Sequence, residues 1–331
     1  MTLDEIRGLV TEDLAAVDRV IRARLGSSVP LVSTVAEHIV AGGGKRLRPL
    51  IVLLSAHAAA APKPLAGSHH HEAAGFIEFI HTATLLHDDV VDHSSLRRGR
   101  ETANALFGNE ASVLVGDFVY SRAFQMMAAV GVQRVMEIMA DATNVIAEGE
   151  VLQLMNAQDP ETTEERYLEV IHRKTARLFE AGAEVAAVLA GASTEVQIAL
   201  ATYGRHLGAA FQLIDDVLDY RSDPSSRGKN LGEDLAEGKM TLPLIHALRQ
   251  AQGVERELIR TAITDAGDED RPEPDFARII GCIDATGGIE YTRERAQAES
   301  RAAAAALAPV PASRYRDALA ELAEAAVGRD R

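Results

Sequence analysis

Two short acidic motifs constrain the fold of this chain more than any other feature of its sequence. Residues 88–92 and 215–219 share the spacing Asp-Asp-x-x-Asp, and both lie in strongly apolar segments typical of buried helices. Positions i and i+4 share one face of an α-helix, so each motif places like charges side by side. Buried carboxylates are rarely left without a partner. The two motifs therefore predict helices that need a cation.

A solvated acidic helix face is the more common explanation for a single motif of this kind. Here the apolar flanks, residues 76–91 and 207–218, and the recurrence of the spacing favour a buried site. Mg²⁺ takes carboxylate oxygens, keeps several waters and adds phosphate oxygens from a substrate. Two facing motifs therefore indicate a diphosphate bridged by metal ions.

The composition favours helices along the whole chain. Ala, Leu, Ile, Val and Glu dominate, Trp is absent, aromatic residues make up only 4%, and alternating β-branched runs are scarce. We therefore predict an all-α fold. Because no linker divides the 331 residues, we expect one domain over residues 1–331.

Charge, cysteine content and hydropathy limit both the partners and the location of this protein. A formal net charge of -15 opposes binding to nucleic acid, whose phosphates are held mainly by Lys and Arg. Cys282 is the single cysteine, which excludes an intrachain disulfide and fits a reducing compartment. The N-terminal residues lack the apolar core of a signal peptide, and no apolar run reaches the length of a membrane span. We expect a cytoplasmic protein.

Three local signals have ordinary structural explanations beside functional ones. The glycines at 42–44 could bring backbone close to a ligand, but a plain helix connection accounts for them equally well. The histidines at 69–71 are rejected as the main metal site, because consecutive side chains on a helix point in different directions and solvation explains them better. Thr2 and Thr162 are each followed by a Glu three residues later, the spacing of a capping box.

Four longer motifs, in the order GGGKRLRP, LLHDDVVDHSSLRRG, HRKTARLF and FQLIDDVLDY, make the chain similar to the trans-type polyprenyl diphosphate synthases. The similarity covers nearly the whole chain and is strongest with the long-chain bacterial branch, the octaprenyl and decaprenyl synthases that make quinone side chains. It implies an isoprenoid synthase-type bundle of long antiparallel helices around a central cavity, usually in a homodimer. The implied prenyltransferase reaction joins isopentenyl diphosphate stepwise to an allylic diphosphate such as farnesyl diphosphate.

The resemblance also implies a role for each matching residue. A Mg²⁺ cluster, with Mn²⁺ as a substitute, is assigned to Asp88, Asp92 and Asp215, with Asp89, Asp216 and Asp219 as weaker partners. The side chains expected to neutralise the leaving diphosphate are Arg97, Lys174, Lys229 and Lys239. The family pattern assigns isopentenyl diphosphate to Lys45, Arg48, His81 and Arg98. Dipoles directed at the carbocation are expected from Thr175 and Gln212, for which helix packing is the ordinary explanation.

Product length is implied to depend on the residues four and five places before the first acidic motif, Thr84 and Ala83. Their small size indicates an open shaft for the growing chain. Helix geometry supports Thr84 better, because it lies one turn from Asp88 while Ala83 is rotated away. A floor is expected deeper, among Phe118, Phe124, Met126 and Met127, where a plain core role explains each residue at least as well.

Other functions share part of this pattern. A shorter-chain, geranylgeranyl-type synthase would use the same motifs, and a terpene cyclase would share the first acidic motif without needing the basic residues around Arg48. A non-catalytic subunit of a heteromeric synthase usually lacks parts of the acidic motifs, and both are complete here. A transient membrane contact is expected only for product release.

Overall fold

The computed structural model describes residues 1–41, 46–97, 99–221, 233–267 and 274–328. Within these ranges the regular secondary structure is helical apart from one short antiparallel hairpin, which confirms the all-α prediction. The first six helices are α1 (Leu3–Gly8), α2 (Thr11–Leu25), α3 (Pro30–Ala41), α4 (Leu47–Ala60), α5 (His69–Val91) and α6 (Ala103–Phe107). The hairpin strands β1 (Leu96–Arg97) and β2 (Arg100–Glu101) lie between α5 and α6.

The middle of the chain contributes five helices. These are α7 (Asn109–Val130), α8 (Gln133–Asn156), α9 (Glu164–Ile171), α10 (Arg177–Leu189) and α11 (Thr194–Asp219), with a π-helical turn, His172–Ala176, between α9 and α10. The remaining helices are α12 (Glu233–Ala236), α13 (Leu242–Gln250), α14 (Gly253–Thr264), α15 (Phe276–Ala285), α16 (Gly288–Ala306) and α17 (Arg314–Val327).

Helix caps show where local chemistry sets the boundaries. The capping box at Thr2 is confirmed, since its hydroxyl accepts from the Glu5 amide and the Glu5 carboxylate accepts from the Thr2 amide. The box predicted at Thr162 is wrong by one residue. Thr163 caps α9 by accepting from the Arg166 amide, while the buried Thr162 hydroxyl donates instead to the Asn156 carbonyl.

The core is built by long helices that pack side against side. α5 packs along α7, and α11 packs against both α10 and α16. Large aromatic side chains fill the space between them, with Phe76, Phe179 and Tyr203 fully or almost fully buried. The two helices that carry the acidic motifs, α5 and α11, are therefore fixed by extensive apolar contacts along their lengths. None of the described helices combines the length and the apolar character needed to cross a membrane.

Candidate active site

Both acidic motifs occupy the last turn of a long helix. α5 ends at Val91 and has Asp92 as its C-cap, while α11 ends at Asp219. The C-terminal end of a helix already carries the negative pole of the backbone dipole, so carboxylates placed there are destabilised further. The fold thus concentrates negative charge at two helix ends, and that charge requires cations.

The two helix ends open into one cavity of about 430 Å³. Its carboxylates are Asp88, Asp92, Glu150, Asp215, Asp216, Asp219 and Asp234. Its cationic side chains are Arg48, Arg97, Lys174 and Lys239. Among the residues that the structure describes, the carboxylates outnumber these cations by seven to four. An anionic ligand such as a diphosphate would be repelled by this excess unless divalent cations entered with it.

Part of the remaining cavity wall is apolar. Leu85, Ile146, Leu178 and Phe211 line it together with the small Thr84. A ligand with a charged head and a hydrocarbon body fits such a lining, because the polar and apolar surfaces are both satisfied.

Two lysines stand between the acidic groups. Lys239 Nζ lies 2.7 Å from an Asp92 oxygen and 2.5 Å from a Glu237 oxygen. Burial alone would lower the pKa of Lys239, but the Glu237 and Asp92 carboxylates raise it well above its usual value, so the group stays charged. Lys174 Nζ lies 2.6 Å from a Glu150 oxygen and 3.9 Å from Asp88. Both ammonium groups are therefore held at the cavity, within reach of a bound anion.

The first motif meets the chemical requirement of a hard metal ion. Burial raises the pKa of Asp88, the Lys174 ammonium lowers it, and the Asp92 carboxylate raises it again. A carboxylate in this situation gains from a nearby divalent cation, since the cation favours the ionised form. All the candidate ligands are oxygen donors, the type that Mg²⁺ prefers. The residues present therefore fit this metal.

A chain of hydrogen bonds links the second motif to the π-helical turn. Thr175 Oγ1 donates to Gln212 Oε1 at 3.0 Å, and Gln212 Nε2 donates to Asp216 at 2.7 Å. The buried Tyr167 hydroxyl donates to the other Asp216 oxygen at 2.5 Å. Burial, followed by the Asp234 carboxylate, raises the pKa of Asp216 to about 8. Thr175 and Gln212 are thus placed in a fixed orientation at the cavity wall.

Two glycines hold the π-helical turn close to its neighbours. A Cβ on Gly149 of α8 would lie 2.7 Å from the Lys174 amide nitrogen, and one on Gly208 of α11 would lie 2.6 Å from Ala176 Cα. The turn is therefore clamped between the backbones of two helices. A π-helical turn inside a helix frequently marks a functional site, and here it carries Lys174 and Thr175 into the cavity.

We expect Gly208→Ala to lower the free energy of unfolding by about 1–3 kcal/mol, because the new methyl group must push the π-helical turn away. Activity should fall as well, since Lys174 and Thr175 move with the turn. Denaturant unfolding and steady-state assays measure the two effects. Gly281 of α15 is the matched control, because a Cβ there meets nothing within 4 Å and alanine should be tolerated. Equal stability of the two variants would contradict the clamp.

Some of the other predicted site residues line the cavity, and some lie outside the described residues. Arg97 lines the cavity, but its Nε and Nη2 atoms donate to Asp89 Oδ1 at 2.8 and 2.6 Å, so Asp89 is buried in an ion pair. Arg48 and His81 line the cavity beside Thr84. Lys45, Arg98 and Lys229 lie outside the described residues.

The structure places the two residues proposed to control product length in different environments. Thr84 lines the cavity, whereas Ala83 is completely buried in the apolar core and is not part of the cavity wall. The proposed floor residues, Phe118, Phe124, Met126 and Met127, do not line this cavity either, and the two methionines are buried in the core. Their role in product length stays a prediction.

Sequence reasoning missed four polar residues that the fold brings to the site: Glu150, Tyr167, Asp234 and Glu237. Glu150 and Tyr167 occur within amphipathic helices, where a carboxylate usually faces solvent and a tyrosine usually packs in the core. Local sequence carried no signal for them. The spacing of Glu237 and Asp234 from Lys239, within one short polar segment, was a signal that could have been used.

Comparison with known proteins gives consistent matches over the whole chain. Residues 29–277 match the family model described as polyprenyl synthetase. Octaprenyl diphosphate synthase of Escherichia coli (strain K12) is 52% identical over 331 residues, which is 100% of each chain.

Two solved structures match closely. A polyprenyl synthase from Caulobacter crescentus CB15, complexed with calcium and isoprenyl diphosphate, has a TM-score of 0.93 and 44% identity, covering 100% of this chain and 98% of that one. A decaprenyl diphosphate synthase from Rhodobacter capsulatus has a TM-score of 0.91 and 44% identity, covering 100% of each chain.

Proposed function

This chain belongs to the polyprenyl synthetase family, and from that premise we propose that it extends an allylic diphosphate such as farnesyl diphosphate with isopentenyl diphosphate to an octaprenyl to decaprenyl product for quinone side chains. It is a prenyltransferase, a trans-polyprenyl diphosphate synthase of the long-chain type. The resemblance inferred from its motifs is confirmed at this level.

One observation carries the proposal: a single cavity joins two acidic helix ends, a pair of lysines and an apolar wall. We propose Asp88, Asp92 and Asp215 as Mg²⁺ ligands, with Asp219 as a weaker ligand and Asp89 contributing through its pair with Arg97. Bound to these carboxylates, Mg²⁺ supplies the positive charge that stabilises a departing diphosphate. Asp216, held by Tyr167 and Gln212, positions the end of α11.

The chain's own residues supply the rest of the catalytic environment. Lys174 and Lys239 are held at the cavity and are proposed to turn from their carboxylate partners to the phosphate oxygens of the allylic substrate, with Arg97 and Lys229 assisting. Thr175 and Gln212, hydrogen-bonded to each other at the cavity wall, are proposed to stabilise the allylic carbocation through the dipoles of their oxygens. Leu85, Ile146 and the other apolar side chains exclude water that would quench it.

Four basic side chains are proposed to bind isopentenyl diphosphate. Arg48 and His81 line the cavity, and Lys45 and Arg98, which lie outside the described residues, complete the proposed set. The Arg48 guanidinium lies 4.6 Å from the centre of the Phe179 ring, a contact that fixes its orientation. The double bond of this substrate then attacks the allylic cation, and the departed diphosphate accepts the proton that is lost, which gives an allylic diphosphate one unit longer and ready for another cycle.

The test is incubation of the purified chain with farnesyl diphosphate, isopentenyl diphosphate and Mg²⁺, with products sized by chromatography. We expect polyprenyl diphosphates of the octaprenyl to decaprenyl class, and no turnover after chelation of the metal. Products of four isoprene units would support a geranylgeranyl-type synthase instead. A homogeneous preparation active only with a second protein would indicate a non-catalytic subunit, and cyclic hydrocarbons made without isopentenyl diphosphate would indicate a cyclase.

We further propose a homodimer formed through α7 and α8. Large apolar side chains are exposed on both helices, with Leu114 67% exposed on α7 and Leu154 68% exposed on α8. Apolar side chains of this size that are left in solvent favour burial against a partner surface. A second copy of the chain would cover them.

We expect the double variant Leu114→Asp, Leu154→Asp to run as a monomer in light scattering after size exclusion, because burying two charges in the interface is costly. Val254→Asp is the matched control, since Val254 of α14 is equally exposed, at 67%, but lies on neither helix. A double variant that keeps the mass of the wild-type assembly would exclude this interface.

Organisation as one domain over residues 1–331, a cytoplasmic location and a transient membrane contact for product release remain part of the proposal.

A further inference from the structure

A second cluster of metal-binding side chains lies outside the cavity, at the beginning of α5. Asp13 of α2, His70 and His71 of α5 each offer a ligand atom, and these three atoms lie within 4.8 Å of one another. We call these residues the histidine cluster. The triplet at 69–71 was expected to be solvated, but His70 is buried and His71 is half-buried against Asp13.

The geometry of the histidine cluster is close to that of a metal shell. His71 Nε2 lies 2.7 Å and His70 Nε2 lies 3.3 Å from the same Asp13 oxygen, Oδ1. In a tetrahedral Zn²⁺ site with metal–ligand bonds of about 2.0–2.1 Å, neighbouring ligand atoms are separated by roughly 3.3 Å. The His70–Asp13 separation already has this value, the His71–Asp13 separation is 0.6 Å shorter, and all three atoms lie within 4.8 Å of one another. Two nitrogens and one carboxylate oxygen leave a fourth position for water.

Surrounding residues orient these side chains. His57 Nε2 of α4 lies 2.9 Å from the other Asp13 oxygen, and the His57 ring stacks on Tyr315 of α17 at 4.5 Å. Such an outer hydrogen bond to a ligating carboxylate is a common feature of protein metal sites. Helices α2, α4, α5 and α17 thus converge on one carboxylate.

The side chains of the histidine cluster can take the form that a metal ion requires, and the cluster can be reached from solvent. A neutral imidazole can move its hydrogen to Nδ1 and present the Nε2 lone pair to a metal. The side chain of Asp13 is 21% exposed and that of His71 is 18% exposed, which leaves a route from solvent.

We propose that Asp13, His70 and His71 bind one Zn²⁺ ion that joins α2 to the start of α5. Imidazole nitrogens suit Zn²⁺, whereas Mg²⁺ prefers oxygen ligands, so this site selects a different metal from the cavity. Eighteen residues of helix separate His70 from Asp88, a rise of roughly 27 Å at 1.5 Å per residue. The ion is too distant to touch substrate and acts by stabilising the fold.

The test uses full-length protein without an affinity tag, freed of metal and then titrated with Zn²⁺ against a chromophoric chelator in excess Mg²⁺, which occupies the acidic motifs. We expect one tightly bound Zn²⁺ per chain. His71→Asn should lose that equivalent. His57→Asn should weaken Zn²⁺ binding by about 10- to 100-fold, because the hydrogen bond from His57 to Asp13 is lost. His69→Asn is the matched control, because His69 is exposed at the helix start and lies outside the cluster.

A second readout is the thermal stability of the same proteins. Zn²⁺ should raise the melting temperature of the wild type and of His69→Asn but not of His71→Asn, while prenyl transfer in Mg²⁺ stays the same with or without Zn²⁺. Anomalous scattering at the zinc edge should place the ion beside Asp13. Stoichiometry below one in the wild type, or equal binding by His71→Asn, would overturn the proposal.

Discussion

Asp88→Asn is expected to lower kcat/KM for isopentenyl diphosphate by about 10³-fold, the scale of losing one preorganised electrostatic contact in an active site. The amide has nearly the shape of the carboxylate but none of its charge, so a divalent cation is held poorly at the end of α5. Raising the Mg²⁺ concentration should recover part of the activity. Steady-state assays over a range of Mg²⁺ concentrations measure both effects.

Measuring the free energy of unfolding distinguishes a loss of metal binding in Asp88→Asn from misfolding. Because burial raises the pKa of Asp88, its charge is costly in the metal-free protein, and the neutral amide should leave the free energy of unfolding unchanged or higher. Lys174 keeps its Glu150 partner in the variant. Asp317→Asn is the control, since that carboxylate is 65% exposed on α17. A stable Asp88→Asn enzyme within tenfold of wild-type activity would show that Asp88 does not bind the catalytic metal.

Thr84→Phe is expected to change the product from a long chain to one of a few isoprene units. Thr84 lines the cavity one helical turn before Asp88, and its hydroxyl donates to the His81 carbonyl within α5. A phenyl ring there would occupy the space through which the hydrocarbon must extend. Chromatographic sizing of the products measures the change. Thr84→Val is the matched control, since it keeps the volume and should keep the product length.

Ala83→Phe should behave differently. Ala83 is completely buried and is not part of the cavity wall, so the ring would overpack the core and cost about 1–3 kcal/mol or more. We expect a destabilised protein, detected by denaturant unfolding, with no specific shortening of the product.

A folded Thr84→Phe enzyme that still makes the full-length product would show that the growing hydrocarbon does not pass Thr84.

Local features of this fold could be predicted from the sequence, whereas features that depend on long-range packing could not. The apolar flank of the second acidic motif, residues 207–218, was predicted to be helical and lies within α11, and the Thr2 cap followed from its side chain. The π-helical turn was not predicted, because its sequence is an ordinary helical one. Its distortion depends on the backbones of α8 and α11, which approach at Gly149 and Gly208.

By itself, the sequence determined that two apolar helices carry paired aspartates and that such helices need cations, since both facts follow from residue type and spacing along one element. Tertiary structure alone decided which groups meet those aspartates. Lys174 is paired with Glu150, Lys239 with Asp92, and Asp13 with the histidines of α5 through contacts between residues far apart in the chain. Such pairings depend on helix packing, which side-chain volumes across several elements set together, and no local pattern records them.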